Sequence, residues 1–310
     1  MRPVARLEPL ARRALGRTLS RLASASVGES VAHGADRPDP GPGANRVGFT
    51  GAPGAGKSTL ISRFAKLRLA ACRDRGGVAI LGIDPTSPLS GGAILGDRIR
   101  MDSVANEPDL YIRSVSSRSS SDGLADNVAD LLEAMEGYGF EEVLLETVGV
   151  GQAEHAIRHL VDTLVMVLQP NSGDAIQAMK AGILELADIY VVNKADLPGA
   201  KKTASEIRGI IRGGNGSGAE WLPPVVEISQ DQSEGLTALD AAVSDHRRWL
   251  EQHREPAAIR RERRRYHVQS LLIRRVGELL DDQPELLDNQ SLRDTYQGIV
   301  RALAGDARNV

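Results

Sequence analysis

The stretch Gly51-Ala-Pro-Gly-Ala-Gly56-Lys57-Ser58-Thr59 decides the fold. It is a complete G-x-x-x-x-G-K-S pattern, preceded by the strand-like run Arg46–Thr50 and followed by a helical pattern opening at Thr59. A strand, a glycine-rich turn and a helix N-terminus are the context in which that spacing makes a phosphate-binding loop. Glycines let backbone N–H groups turn inward onto phosphate oxygens, and the helix start adds the positive end of its dipole. The phosphate candidates are Gly54, Ala55, Gly56, Lys57, Ser58 and Thr59. Lys57 is placed to reach β- and γ-phosphates, and the Ser58 hydroxyl to ligate Mg²⁺. A glycine turn with an incidental lysine would leave the flanking strand and helix unexplained.

Outward from this loop, short apolar runs recur at Val78–Ile83, Val143–Leu145, Leu164–Leu168, Ile189–Val192 and Val225–Ile228. They are continuous rather than alternating, as in strands covered on both faces. Helical faces lie between them: Leu60, Phe64 and Leu67 in one, Leu124, Val128, Leu131 and Met135 in another. Such alternation predicts an α/β fold of the P-loop NTPase type with a mostly parallel central sheet. Residues 34–45, rich in Pro and Gly, read as a linker, and the serine-rich Ser114–Ser121 as a loop. After Pro256 the pattern is purely helical, with stripes Val268, Leu272, Val276, Leu279 and Leu292, Tyr296, Ile299, Leu303 on either side of Pro284. These helices need an apolar partner, either their own small domain or a second copy of the chain. The expected division is 1–45 as a helical extension and linker, 46–255 as the phosphate-loop domain, and 256–310 as a C-terminal helical arm.

Composition narrows the classes. The chain has 310 residues, 41% hydrophobic, 25% charged and 3% aromatic, with a net charge of −3. Few aromatics and no global positive field argue against nucleic acid as the main partner. No run is long enough to span a membrane, and none is expected to bind one. The lone Cys72 excludes an intrachain disulfide and fits a reducing, cytoplasmic setting. Six Arg in the first 22 residues leave two readings open: a mitochondrial transit segment, or an amphipathic surface helix with Leu7, Leu10, Leu15 and Leu19 turned inward.

Asn193-Lys194-Ala195-Asp196 follows the run Ile189–Val192. A carboxylate there can accept hydrogen bonds from guanine N1–H and its 2-amino group, a donor pair that adenine lacks. At a parallel strand's C-terminal end, where open α/β sheets bind ligands, this makes GTP the expected nucleotide. Asp84 ends the second apolar run, Asp97 follows in Ser90-Gly-Gly-Ala-Ile-Leu-Gly96-Asp97-Arg98, and Glu146 opens Glu146-Thr-Val-Gly149-Val-Gly-Gln152. Carboxylates at strand ends beside a phosphate loop can hold Mg²⁺ directly or through water. Gly149 can lend its N–H to a γ-phosphate, so that its loop moves when that phosphate leaves.

The run Asp84-Pro-Thr-Ser-Pro-Leu-Ser-Gly-Gly-Ala-Ile-Leu-Gly-Asp-Arg-Ile-Arg-Met101 resembles the MeaB/ArgK family of GTPases, as do Glu146–Gln152 and Asn193–Asp196. The resemblance implies a G-protein chaperone of an adenosylcobalamin-dependent acyl-CoA mutase, chiefly methylmalonyl-CoA mutase. It implies a homodimer joined by the C-terminal arm, in which GTP hydrolysis to GDP gates cofactor loading and expulsion of damaged cofactor. By matching positions, Asp84, Asp97 and Glu146 form the Mg²⁺ and switch cluster, and Gly149 contacts the γ-phosphate. Lys180, in Gly173–Gly182, falls in a third switch coupled to the mutase. Ser229 and Gln230 fall at the guanine O6 loop. The chain departs from the family pattern at Arg98-Ile99, at Asn171-Ser172 and at Gln230, where Ala is usual. A backbone N–H at Gln230 survives any side chain, so guanine binding is expected to persist.

Three of the six lysines are Lys57, Lys180 and Lys194, in a chain with 32 Arg. A compact ammonium suits a phosphate site better than a guanidinium fork. No residue stands out as a general base, so turnover is expected to be slow and accelerated by a partner. Two rival classes are a nickel- or zinc-inserting GTPase, for which His155 and His159 at i, i+4 are the candidate ligands, and a transport-associated kinase. The run Arg260–Arg265 reads as a solvated helix face.

Overall fold

A computed structural model of the chain describes residues 9–35, 43–72, 76–85, 107–117, 127–147, 153–170, 186–214, 221–229, 232–288 and 291–306. Its strands are β1 (Asn45–Thr50), β2 (Val78–Pro85), β3 (Leu110–Ser117), β4 (Glu142–Glu146), β5 (Thr163–Leu168), β6 (Ile189–Asn193) and β7 (Val225–Ile228). They form one sheet in the order β3-β2-β4-β1-β5-β6-β7, and every neighbouring pair is parallel. Among the described residues the helices are α1 (Pro9–Leu22), α2 (Val27–Ala35), α3 (Lys57–Cys72), α4 (Val128–Gly137), α5 (Ala153–Arg158), α6 (Ala200–Gly214), α7 (Glu234–His253), α8 (Pro256–Asp282) and α9 (Leu292–Asp306). A short 3₁₀ turn, Pro284–Leu287, joins the last two.

The continuous apolar runs are explained by helices on both faces. In β4, Val143 and Leu145 pack with Leu15 and Leu19 of α1 and Leu131 and Met135 of α4. Leu144 points the other way, among Leu60, Ile61 and Phe64 of α3 and Leu239 of α7. Burial at about 25 cal/mol per Å² of apolar surface on both faces of a strand is what favours this layering.

The structure corrects several expectations. Ser114–Ser117 are not loop: they belong to β3, which pairs with β2 from Val78↔Leu110 to Pro85↔Ser117. This edge strand is covered at its start by α1, whose Arg12 guanidinium donates to the carbonyls of Glu107, Pro108 and Leu110. Leu67 and Leu10 are exposed, whereas Leu15, Leu19 and Leu22 are buried; α3 turns Ile61 and Ala65 inward instead of Leu67. The expected linker is shorter than 34–45, because α2 runs to Ala35 and β1 begins at Asn45. On α8 and α9 the two stripes are largely uncovered, with Val268, Leu272, Leu292 and Tyr296 exposed and Leu279 buried. No described helix is long and apolar enough to cross a membrane.

Polar links fasten α8 to the sheet domain and to the N-terminal helices. The Arg263 guanidinium pairs with Asp162 at 2.6 Å, Arg274 donates to the Ala25 carbonyl at 2.8 Å, and the Val27 amide donates to Glu278 at 3.0 Å. His267 stands between Asp130 at 3.1 Å and Glu133 at 3.3 Å on α4. Burial opposes its imidazolium, but hydrogen bonds to the two carboxylates, and their charge, prevail and push its pKa up to about 9. The folded-state value lies above the ordinary 6.5, so the link stabilises fully below that pH and is lost as pH rises through about 9. The stabilisation lost is roughly 3 kcal/mol. Urea unfolding at pH 6 and pH 9.5 should show this loss in the parent chain and not in His267→Gln; parallel losses in both would remove His267 as the cause.

Candidate active site

All seven strands run the same way, so the loops after their C-terminal ends share one edge. The chain passes from one side of β1 to the other between β4 and β5, and the phosphate loop follows β1 at that crossing, where α/β sheets open a crevice. α3 starts at Lys57, two residues earlier than the sequence pattern placed it.

The loop's shape depends on close packing against β5 and β6. Gly51 has φ +138°, and a side chain there would strike the Val167 carbonyl oxygen. Gly56 has φ +86°, and a Cβ would lie 2.5 Å from Asn193 Nδ2. Only glycine meets both demands without strain. Asn193 Nδ2 donates to the Ala55 carbonyl at 2.8 Å. Lys194, itself left-handed at φ +55°, donates from Nζ to the Gly54 carbonyl at 2.9 Å and to Gln169 Oε1 at 3.0 Å. Lys57 Nζ donates to the carbonyls of Gly51 at 2.6 Å and Ala52 at 3.1 Å. The two motifs, far apart in sequence, are therefore one hydrogen-bonded unit.

Ser58 Oγ donates to Glu146 Oε1 at 2.7 Å, with both residues buried. Asp84 is buried at the end of β2, two positions beyond Gly82, which is in register with Glu146. The arrangement gathers a hydroxyl and two carboxylates beside the loop. Among the described residues no group of three or more His, Cys, Asp or Glu side chains converges as a metal cage. A hydroxyl with one or two carboxylates is instead the set that suits Mg²⁺, which keeps several waters and takes its remaining ligands from phosphate. Thr50 Oγ1 and Ser229 Oγ are buried at strand ends on this edge without a hydrogen-bond partner, and Asp196 is exposed in the turn after β6. Unmet buried hydroxyls at a loop edge are rare and leave polar atoms for a ligand to satisfy.

Asp97, Gly149, Lys180 and Gln230 lie outside the described residues. Gln169, Arg63 and Thr50 escaped the sequence reading. Gln169 holds Lys194, and Arg63 donates to the Ser229 carbonyl at 3.1 Å. The only sequence signal for Gln169 and Thr50 is their place at strand ends on this edge. The His155/His159 pair does not share a helix face: α5 ends at Arg158, His155 is exposed, and His159 stacks on Tyr266 with centroids 5.6 Å apart. The Arg260–Arg265 run is a solvated face except at Arg263, which is drawn inward by Asp162.

The likeness to known proteins agrees with this geometry. A protein of Pyrococcus abyssi named as a GTPase is 40% identical over 228 residues, 73% of this chain and 69% of that protein. The mouse methylmalonic aciduria type A homolog, named as mitochondrial, is 32% identical over 253 residues, 80% of this chain and 60% of that protein. A crystal structure of an LAO/AO transport system kinase shares the fold, with a TM-score of 0.58 and 22% identity over 94% of this chain and 98% of that one. Residues 37–285 match the family described as methylmalonyl Co-A mutase-associated GTPase MeaB, and with that match, the phosphate loop and the Asn-Lys-x-Asp motif bonded to it, the chain belongs to this family and is a guanine-nucleotide-binding GTPase.

Proposed function

We propose that this chain is a Mg²⁺-dependent GTPase that serves as a chaperone of an adenosylcobalamin-dependent acyl-CoA mutase, methylmalonyl-CoA mutase first among them. GTP binding and hydrolysis would gate cofactor loading and the removal of inactivated cofactor. One observation carries the reading: a buried Ser58–Glu146 pair and an Asn-Lys-x-Asp motif meet on the same loop, in a member of a mutase-associated GTPase family.

In this reading Gly54, Ala55, Gly56 and Thr59 cradle phosphate with their backbone, and Lys57 leaves the loop carbonyls to meet the β- and γ-phosphates. Ser58, Asp84, Asp97 and Glu146 would hold Mg²⁺, directly or through water. A bound Mg²⁺ would supply charge neutralisation for the phosphates. Gly149 contacts the γ-phosphate, and Lys180 belongs to the segment that answers to the mutase. Asn193, Lys194 and Asp196 set and read the guanine, with Ser229 and Gln230 at its O6. The chemistry is phosphoryl transfer to water by positioning and charge.

Residues 1–45, 46–255 and 256–310 act as extension, GTPase domain and dimer arm. Support for the arm's role comes from Leu272, Ile273, Leu292 and Tyr296, large apolar side chains exposed on two joined helices. The test is GTP hydrolysis by the purified chain, with and without an adenosylcobalamin-dependent mutase from the same source. Slow turnover alone and clear stimulation by the mutase are expected, up to the roughly 10³–10⁵-fold that an added arginine contributes in other GTPases. Rapid unassisted turnover, or no response to any such mutase, would defeat the proposal.

A further inference from the structure

At the opposite edge of the sheet from the phosphate loop, a cavity of about 460 Å³ opens between the end of α5, the approach to β5, the end of α7 and the first turns of α8. Four guanidinium groups line it, Arg158, Arg254, Arg263 and Arg265, against two carboxylates, Asp162 and Glu262. Three of the arginines are tied back: Arg158 to Asp188 at 2.7 Å, Arg254 to Glu262 at 2.7 Å and Arg263 to Asp162 at 2.6 Å. Asp162 also accepts the Arg46 amide at 2.8 Å. Arg265 is exposed at the wall.

Arg263 is the group left wanting. Its side chain is only 15% exposed, and its Nε is buried without a hydrogen-bond partner. Burial, together with the nearby charge of Arg46, weakens its hold on its proton. A buried N–H with no acceptor is destabilising, and more so in a charged group. Beside it the His159 and Tyr266 rings stack at 19°, and Val161, Leu250 and Ile259 make that side of the cavity apolar.

We propose that this cavity binds a phosphate-bearing small molecule of about nucleotide size, separately from the nucleotide at the phosphate loop. Its phosphate would sit among Arg254, Arg263 and Arg265, and its flat or apolar portion against the Tyr266 side. Guanidinium forks match tetrahedral oxyanions with paired hydrogen bonds. The volume falls in the range of roughly 300–1,000 Å³ typical of small-molecule sites. An excess of cationic groups in the wall disfavours a metal ion, and a concave site does not suit an extended polyanion. The inference stands on this wall alone and does not need a mutase partner.

The test uses the full chain and inorganic pyrophosphate as the probe, titrated by calorimetry, with GDP affinity measured alongside. Arg265 is exposed and remote from the phosphate loop, so Arg265→Glu should fold and bind GDP as the parent does. The parent is expected to bind pyrophosphate at two sites. Arg265→Glu should weaken one of them at least tenfold and leave the other intact, and Arg254→Ala should weaken the same one. One site in the parent, or unchanged two-site isotherms in both variants, would overturn the proposal. So would a loss of GDP affinity in parallel with pyrophosphate, because the effect would then be on the fold or the loop. GDP binding is read independently in each arm, so failure here is distinguishable from failure of the GTPase reading.

Discussion

Asp196→Asn is expected to lose GTP by about a thousandfold and to gain xanthosine triphosphate. In the proposed site the Asp196 carboxylate accepts two hydrogen bonds, from guanine N1–H and the 2-amino group. Each such charged bond contributes about 1.5–3 kcal/mol, and two give on the order of 10²–10⁴ in affinity. An asparagine offers one acceptor and a donor pair, so its amide faces the guanine 2-amino group donor to donor. Xanthine carries a carbonyl at that position, which accepts from the amide while N1–H still donates to Oδ1. Asp196 is exposed, unlike Asn193 behind it, so the substitution should leave the bonds from Asn193 and Lys194 to the loop in place and stability unaltered. Competition binding with the two nucleotides, together with thermal unfolding of the free chain, checks both halves. Unchanged GTP affinity would remove Asp196 from the site. Loss of both nucleotides with intact folding would mean that the residue positions the loop and does not read the base.

The contrast between what was and was not legible in the sequence follows from range and coverage. The phosphate loop was readable because its demands are local: Gly51 and Gly56 must be glycine where they pass Val167 and Asn193. The strands β1, β4, β5 and β6 were readable because every residue in each is buried, leaving a short apolar stretch between buried polar ends such as Arg46 and Glu146. β3 has only β2 beside it, so its polar Ser114, Ser116 and Ser117 imitate a loop. Edge strands commonly carry such polar residues, which discourage pairing with other chains. Helical stripes mislead in another way: periodicity gives a face and not its cover. Leu60 and Phe64 found the sheet, whereas Leu272 and Tyr296 stand in solvent in the single chain. Contacts such as Lys194 with Gln169, or Arg63 with Ser229, are set by which strand ends become neighbours, and no local pattern encodes them.

The same holds for the ion pairs under the sheet, where the largest stability effect is expected. Arg46 is the second residue of the central strand and is 4% exposed. Its Nε and Nη2 donate to the two oxygens of Glu136 on α4, both at 2.7 Å, and its Nη1 donates to the Leu160 carbonyl at 3.2 Å. Burial works against the charged guanidinium, but the Glu136 carboxylate prevails and holds its pKa above the ordinary arginine value. Glu136→Ala should therefore strand a buried cation and destabilise the chain by about 3–5 kcal/mol. Part of that loss should reach α8, because Asp162 accepts from the Arg46 amide and also pairs with Arg263. Replacing both partners, Arg46→Met with Glu136→Leu, removes the charge and the need for it together, and such swaps are often near neutral. Urea unfolding of the single and double variants decides the matter. A double variant several kcal/mol more stable than Glu136→Ala alone would identify the unpaired charge as the source of the loss. If both fall equally, the pair contributes through packing of the arginine stem, and the Asp162 link to α8 becomes the contact to dissect.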